Sequence, residues 1–302
     1  MKWPALAIGL LLFLAACSSD EREPQQPGGV LDDLHRIVRL STPPQRIVSL
    51  APSLTETLFA LGLDSSVVGV TDFCTYPPRA TKLPHVGGLI NPNLERIVSL
   101  KPDLVVMTVQ GNTRSDFEKI EKLGLTVFVS NPGNVEGVFR TIRGIGILTR
   151  TTVRADSLIN RLQRRRAELE RRAAESPPVS VLFLLSFRPL ISASSGTYID
   201  EIIRLANGVN IAAGSQVAYP VLNREEILAS DPSWIITTSD VAHSPAQMRA
   251  ALSRFSALAA VREQRFIILD ADLISRPGPR ILDGLAQLVE AMHPATSSRG
   301  SP

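Results

Sequence analysis

Cysteine is nearly absent from this sequence, since the 302 residues include only Cys17 and Cys74. If Cys17 is modified, Cys74 has no partner left and no disulfide can form within the chain. An unpaired cysteine in an oxidising compartment is usually buried, where it behaves as a small hydrophobic residue. We therefore predict that Cys74 is a buried, unreactive thiol.

Motifs of enzyme chemistry are missing as well. The sequence contains no G-x-S-x-G, H-E-x-x-H, P-loop or G-x-G-x-x-G pattern. The four histidines are too scattered for a zinc or manganese site, and only His85 stands in a loop that could supply a ligand. We interpret His85 as a solvated loop residue. The sequence thus predicts a protein that is not an enzyme and that carries no metal or cofactor of its own.

Charge of one sign is not concentrated along the chain. The net charge is only +3, and the densest basic segment, residues 161–172, is interrupted by Glu168 and Glu170. This pattern is typical of a solvated helix face and does not indicate a nucleic-acid partner. Hydrophobic residues at 44% and charged residues at 20% indicate a globular protein, and the length suits two lobes.

The N-terminus begins with the basic Lys2 and an apolar run over residues 5–16. A bilayer core of about 30 Å needs about 20 residues, so this run fits a signal peptide better than a membrane span. It ends in Leu14-Ala15-Ala16-Cys17, which resembles a bacterial lipoprotein processing site. The resemblance implies that residues 1–17 are the lipoprotein signal, with lipid on the Cys17 sulfur and a location at the extracytoplasmic face of a membrane. The alternative is ordinary secretory cleavage near Ala16.

Strand and helix patterns alternate through most of the remaining chain. Polar residues 18–44 predict a flexible tether. Short β-branched runs then alternate with amphipathic segments, which favours α/β lobes with mainly parallel sheets flanked by helices. Residues 134–176 contain no proline and predict one long helix of about 50–60 Å between the lobes, either straight or kinked near Gly144 and Gly146. The predicted lobes span residues 45–133 and 177–294, followed by a tail over 295–302.

An internal repeat supports the two-lobe interpretation. The motif Asn-x-Glu-x-Ile, followed by a proline and an apolar strand, begins at Asn93 and recurs at Asn223. The spacing between the two motifs, 223 minus 93, is 130 residues. Two homologous lobes joined by a helix leave a cleft between them. Ligand sites favour such interfaces and the carboxyl ends of parallel strands.

Several segments carry a family resemblance that covers roughly residues 45–293. They are RIVSLAPSLTE at 46–56, NLERI at 93–97, KPDLV at 101–105 and SRPGPR at 275–280. Together they resemble the class III periplasmic binding proteins, the iron- and B12-type family with a helical backbone. The resemblance implies two α/β lobes joined by one long helix. It also implies a monomeric substrate-binding component of an ABC importer, which delivers a small molecule to a permease dimer with its ATPase.

The resemblance also implies a docking surface. Members of the family present one exposed glutamate on each lobe to arginine pockets of the permease, and Glu95 and Glu225 stand at the matching positions. Two carboxylates at equivalent points of a pseudo-twofold protein suit a twofold permease, because charge pairing sets orientation and association rate. The alternative is that each glutamate only stabilises the N-terminus of its helix.

The ligand implied by the resemblance is cobalamin or a related corrinoid. Tyr76-Pro77-Pro78 and Tyr219-Pro220 are most similar to the cobalamin-binding members, although Leu89 and Tyr219 stand where a tryptophan is found there. The implied ligand contacts come from both lobes, namely Phe73, Tyr76, Leu89, Phe187, Tyr219, Asp272 and Arg276. For Phe73 and Phe187, packing in the core is the alternative role.

Two other functions stay open at this point. The same fold binds ferric siderophores or haem, and haem needs a tyrosine or histidine that reaches the iron, for which Tyr76, Tyr219 and His85 are the candidates. An anionic siderophore favours several arginines, for which the candidates are Arg114, Arg188 and Arg276. A role of another class is an extracytoplasmic sensor or assembly lipoprotein that kept the fold without transport, but the presence of both docking glutamates argues against it.

Overall fold

A computed structural model of the chain describes residues 29–294, which form two α/β lobes with parallel sheets. The predicted fold class is therefore confirmed. Cys17, the rest of the predicted signal peptide and the predicted tail over 295–302 lie outside the described residues.

The described chain begins with an antiparallel hairpin of β1 (Val30–Leu31) and β2 (Ile37–Val38). Val30 and Val38 are buried in the core of the first lobe. The backbone N–H of Asp33 also donates to the carbonyl of Val129 at 3.0 Å. The flexible tether predicted over residues 18–44 is thus wrong at its C-terminal end, because the polar composition concealed a few apolar residues that anchor this segment to the lobe.

The first lobe is built on four parallel strands in the order β4-β3-β5-β6. Almost every strand residue is buried, because helices cover both faces of a parallel sheet and leave no side for water. The strands are β3 (Ile47–Ser49), β4 (Val67–Val70), β5 (Leu104–Thr108) and β6 (Val127–Ser130). The helices between them are α1 (Pro52–Ala60), α2 (Leu94–Ser99) and α3 (Arg114–Lys122).

Two helices, not one, connect the lobes. α4 (Val135–Leu148) and α5 (Thr152–Ala173) are separated by a turn in which Arg150 has a left-handed φ of 56°. The Thr149 hydroxyl donates to the carbonyl of Ile145 at 2.7 Å, a local bond that competes with continuation of the helix. The prediction of one long helix over 134–176 is therefore wrong. α5 alone, about 33 Å long at 1.5 Å per residue, spans from the first lobe to the second.

The second lobe repeats the strand order of the first, as β10-β7-β11-β12, again all parallel. The strands are β7 (Val179–Phe183), β10 (Gly208–Asn210), β11 (Trp234–Thr238) and β12 (Phe266–Leu269), with a side hairpin of β8 (Ser186–Phe187) and β9 (Leu190–Ile191). The helices are α6 (Tyr198–Leu205), α7 (Arg224–Ser230), α8 (Pro245–Ala251), α9 (Ala259–Arg262), α10 (Ala271–Ile274) and α11 (Ile281–Met292). β5 and β11 begin and end 130 residues apart, so the sequence repeat is also a structural one.

Cys74 is buried, with 1% of its surface exposed. The hydroxyl of Thr55 donates to its sulfur at 3.1 Å and the hydroxyl of Thr71 lies 3.2 Å from it. Burial raises the pKa of the thiol, which keeps it protonated and unreactive. The prediction for Cys74 is thus confirmed.

Within residues 29–294, no helix has the length and apolar character needed to cross a membrane.

The contact between α4 and α5 gives a first prediction. A Cβ at Gly146 would lie 2.5 Å from the Cβ of Ala155 on α5. Gly146→Ala should therefore lower the free energy of unfolding by about 1–3 kcal/mol, although alanine favours a helix by about 1 kcal/mol over glycine. Urea unfolding of the chain without residues 1–17 measures this.

Gly133→Ala is the matched control for this experiment. No atom lies within 4 Å of a Cβ at Gly133, and its φ is not left-handed. Its stability should stay within about 0.5 kcal/mol of wild type. Equal stabilities of the two variants would contradict the close approach of α4 and α5.

Candidate functional site

An open cavity of about 490 Å³ lies between the two lobes. Its walls are the segments that follow the carboxyl ends of parallel strands in both sheets. The first lobe contributes the segments after β3, β4 and β5, and the second lobe those after β11 and β12. This is the place where parallel α/β sheets present ligand-binding residues.

The wall from the first lobe is largely apolar, because Phe73 and Leu89 line it. Phe73 leaves 51% of its surface exposed and so contributes little to the core. The loop that carries Leu89 is held by the buried Asn112, whose side-chain amide donates to the carbonyls of Leu50 at 3.1 Å and Leu89 at 2.8 Å. One asparagine thus fixes the end of β3 and the cavity wall together.

The wall from the second lobe is polar. Asp270 caps the N-terminus of α10, and Asp272 in the first turn pairs with Arg276 at 2.7 Å. Arg276 also donates to the hydroxyl of Thr75 at 3.0 Å, which belongs to the first lobe. Asp240, just after β11, lines the same wall. Arg276 and Asp272 compensate each other, whereas Asp240 has no ion-pair partner within residues 29–294.

A buried ion pair joins the lobes close to this cavity. Arg280 donates to both carboxylate oxygens of Glu56, at 2.8 and 2.6 Å, and the Glu56 side chain is only 2% exposed. Burial raises the pKa of Glu56, while Arg280 acts in the opposite direction. The Arg280 guanidinium also lies over the ring of Tyr76, 3.9 Å from its centroid.

The backbone of the two lobes also approaches closely next to this pair. A Cβ at Gly278 would lie 3.1 Å from the carbonyl oxygen of Ser53, at the start of α1. The segment over residues 275–280 is therefore the joint through which the second lobe packs on the first.

Four of the predicted ligand residues line the cavity together, namely Phe73, Leu89, Asp272 and Arg276. Tyr76 does not, because its ring stacks on Arg280 in a separate cavity of about 560 Å³ between α1, α5 and residues 279–283.

Phe187 and Tyr219 do not line the cavity either. Phe187 is half-buried and packs against the core of the second lobe, which was its alternative role. Tyr219 lies near the buried Tyr198, where partial burial raises the pKa of the Tyr219 hydroxyl.

Sequence reasoning missed three polar groups of this region. Asp240 and Gln110 line the cavity, and Glu56 forms the joint with Arg280. A signal existed for each. Asp240 and Gln110 come two residues after the observed ends of β11 and β5, and Glu56 lies in the motif over residues 46–56.

The candidate docking glutamates occupy equivalent positions. Each is the second residue of a short helix whose N-cap is an asparagine, with Asn93 accepting at 2.9 Å and Asn223 at 2.8 Å. Glu95 and Glu225 are exposed, and neither has an ion-pair partner within residues 29–294. Glu226, not Glu225, completes the capping box of α7. Both carboxylates are therefore free to meet a partner.

A metal centre has no support in the described part of the chain. Between residues 29 and 294, no group of three or more His, Cys, Asp and Glu residues could hold a metal ion. His85 is half-exposed, and its Nδ1 lies 3.0 Å from a carboxylate oxygen of Asp72.

The sequence has clear relatives. A family model described as periplasmic binding protein matches residues 47–273. The vitamin B12-binding protein of Vibrio cholerae is 32% identical over 246 residues, which cover 82% of this chain and 88% of the relative. An uncharacterised ABC transporter substrate-binding lipoprotein of Bacillus subtilis, YvrC, is 30% identical over 310 aligned positions and 97% of both chains.

Solved structures agree with these relatives. The crystal structure of the vitamin B12-binding protein BtuF of Vibrio cholerae matches with a TM-score of 0.74 at 30% identity, over 83% of this chain and 97% of that one. The periplasmic haem-binding protein BhuT, in complex with two haems, matches with a TM-score of 0.74 at 27% identity, over 82% and 98%.

The buried ion pair at the joint gives a second prediction. Arg280→Met leaves the Glu56 carboxylate buried without its partner and should lower the free energy of unfolding by about 3 kcal/mol at pH 7. The folded-state pKa of Glu56 is then raised above its unfolded value. The contribution of protonated Glu56 to the stability of the folded state is therefore present below the unfolded-state pKa, and it is lost as the pH rises through the folded-state pKa. The deficit relative to wild type should therefore shrink towards about pH 4.

Two further variants control this experiment. Glu56→Gln in the Arg280→Met background removes the buried charge and should restore most of the stability. Arg79→Met breaks an exposed ion pair with Asp64 and should cost less than about 1 kcal/mol. A deficit for Arg280→Met that is as small as that of Arg79→Met, or that does not depend on pH, would contradict the role of the pair.

Proposed function

We propose that this chain, which belongs to the periplasmic binding protein family, captures cobalamin or a related corrinoid in the cavity between its lobes. The family consists of substrate-binding transport proteins, so the chain is the periplasmic binding component of an ABC importer and its partner is a membrane permease. The identity of the ligand, the residues that contact it and the lipid anchor are what we propose.

The observation that carries the proposal is the pairing of an apolar wall with a polar one. A corrinoid presents the faces of a large ring and a periphery of uncharged amides. Phe73 and Leu89 suit a ring face, while Asp272, Arg276 and Gln110 offer donors and acceptors for amides. The whole cobalamin molecule exceeds the cavity volume, so the proposal places part of the ligand outside the rim.

The same cavity is less suited to haem or to an anionic siderophore. None of the described residues that line it is Tyr, His, Cys or Met, so none supplies a ligand to haem iron. Cobalamin brings its own cobalt ligands and needs none. The uncompensated Asp240 and the pairing of Arg276 with Asp272 disfavour carboxylate-bearing ligands. Arg114 and Arg188 do not line the cavity.

Haem is nevertheless the second candidate, because BhuT shares the fold at 27% identity and its structure contains two haems. A haem with the exposed Tyr219 as its iron ligand would have to bind outside this cavity, because Tyr219 does not line it.

Attachment and docking complete the proposal. Lipid on Cys17 would hold the chain at the membrane, and the lipoprotein description of YvrC, which aligns with 97% of this chain, supports it. Glu95 and Glu225 would meet basic residues of the permease, because both carboxylates are exposed and neither has an ion-pair partner within residues 29–294.

Calorimetric titration of the chain without residues 1–17 tests the ligand. Cyanocobalamin should bind one to one, while haemin and a ferric hydroxamate should not. Phe73→Ala removes the exposed aromatic of the wall and should weaken cyanocobalamin binding about tenfold or more. Ile90→Ala is the control, because Ile90 is exposed in the same loop but does not line the cavity. Binding of haemin alone would move the proposal to haem.

Stimulation of the transporter's ATPase tests docking. The double variant Glu95→Ala with Glu225→Ala should abolish stimulation of the reconstituted permease–ATPase complex and leave ligand affinity within about twofold of wild type. Glu136→Ala is the control, because Glu136 is also an exposed glutamate in the first turn of a helix. Full stimulation by the double variant would sink the docking assignment.

A further inference from the structure

An apolar groove of about 640 Å³ lies on the outer surface of the first lobe, beside Glu95. We call it the N-lobe groove and define it by Leu94, Glu95, Val98, Ser99, Lys119, Lys122 and Leu123. It is formed between α2 and the C-terminal end of α3, away from the cavity between the lobes.

The apolar residues of this groove are not part of the core. Ile97 and Ile120 already fill the core side of α2 and α3, and both are fully buried. Val98 and Leu123 instead leave 43% and 50% of their surfaces exposed. Grouped apolar side chains that stay in water at this extent mark a contact surface more often than an isolated exposed residue does.

Charges of both signs surround the apolar floor. Glu95, Lys119 and Lys122 line the groove, and within residues 29–294 none of them has an ion-pair partner. They therefore do not neutralise one another. An apolar centre with a charged, solvated rim is the usual anatomy of a protein–protein interface.

The groove is not a by-product of the repeated fold. At the spacing of 130 residues, Leu94 corresponds to Arg224 and Val98 to Leu228 in the second lobe. Leu228 is half-buried and packs against the core of that lobe. A cavity that lies next to α7 in the second lobe is lined by Glu226 and not by Glu225. Within residues 29–294, Glu95 thus lines an apolar groove, whereas Glu225 does not line the cavity beside its own helix.

We infer that the N-lobe groove receives a large apolar side chain from the periplasmic surface of the permease, next to the basic residue that pairs with Glu95. The inference rests on the proposed docking function and extends it. The occupant is a protein segment, because it must offer a cation to Glu95 and an anion to the two lysines around an apolar centre. A lipid tail or an anionic headgroup satisfies only part of that pattern.

Val98→Asp combined with Leu123→Asp separates this inference from docking by charge alone. If docking depended only on Glu95 and a basic partner, two added carboxylates near Glu95 would leave binding unchanged or strengthen it. If the groove accepts an apolar side chain, the same change should weaken affinity for the cognate permease–ATPase complex in nanodiscs about tenfold or more.

The matched control is Val153→Asp on α5, at a valine that is 82% exposed and lies outside the groove. It should leave affinity for the transporter within about twofold of wild type. Cyanocobalamin affinity should be the same in all variants, and sedimentation velocity should show a monomer for each.

The outcomes are distinguishable from those of the docking test. Loss of affinity in the groove variant, with the control unaffected, supports the inference. Unchanged or tighter binding by the groove variant, while Glu95→Ala with Glu225→Ala abolishes stimulation, overturns the inference and leaves the docking function standing. If wild type self-associates and the groove variant does not, the occupant is a second copy of this chain, and the inference is likewise overturned.

Discussion

The buried pair of Glu56 and Arg280 is the interaction on which the arrangement of the two lobes depends. Burial of the Glu56 side chain, which is 2% exposed, disfavours its charged form, and the ion-pair partner found for it within residues 29–294 comes from the other lobe. The same segment places Gly278 against Ser53 and Arg276 against Thr75. The walls of the cavity are thus held at a defined separation by a contact outside it. Such a pair contributes little net stability, but it favours one relative position of the lobes over others.

The two lobes share one topology but differ in the side chains on their surfaces. Both sheets have the same strand order, and both asparagine-capped helices present a glutamate at the same position. The side chains around those glutamates have diverged, since Leu94 in one lobe corresponds to Arg224 in the other. The fold therefore conserves geometry, while the flanking residues determine what each lobe can contact.

The strands and most helices could be predicted from the sequence because burial on both faces of a parallel sheet leaves continuous β-branched runs. Val67–Val70, Trp234–Thr238 and Phe266–Leu269 are such runs. The turn at Arg150 was not predicted at its observed position, because the glycines at 144 and 146 favoured an earlier kink and both lie inside α4. Threonine side chains and packing against α5 end α4 there. The hairpin before residue 44 was missed because only a few of its residues are apolar.

For the candidate site as well, some features could be predicted from the sequence and others could not. The family resemblance named Phe73, Leu89, Asp272 and Arg276 together, and these four residues line one cavity because each follows the end of a strand. Side-chain direction could not be predicted for Tyr76, whose ring turns towards Arg280, because that orientation depends on a contact with a residue about 200 positions away.

Arg276 links the contact between the lobes to the wall of the cavity. Its guanidinium bonds to Thr75 of the opposite lobe and to Asp272 within the cavity. The joint and the binding surface therefore share one side chain. Any force that pulls the lobes apart at Thr75 also frees the arginine to reorient, and with it the polar wall of the cavity. Separation of the lobes and rearrangement of the cavity wall are therefore coupled through this one side chain.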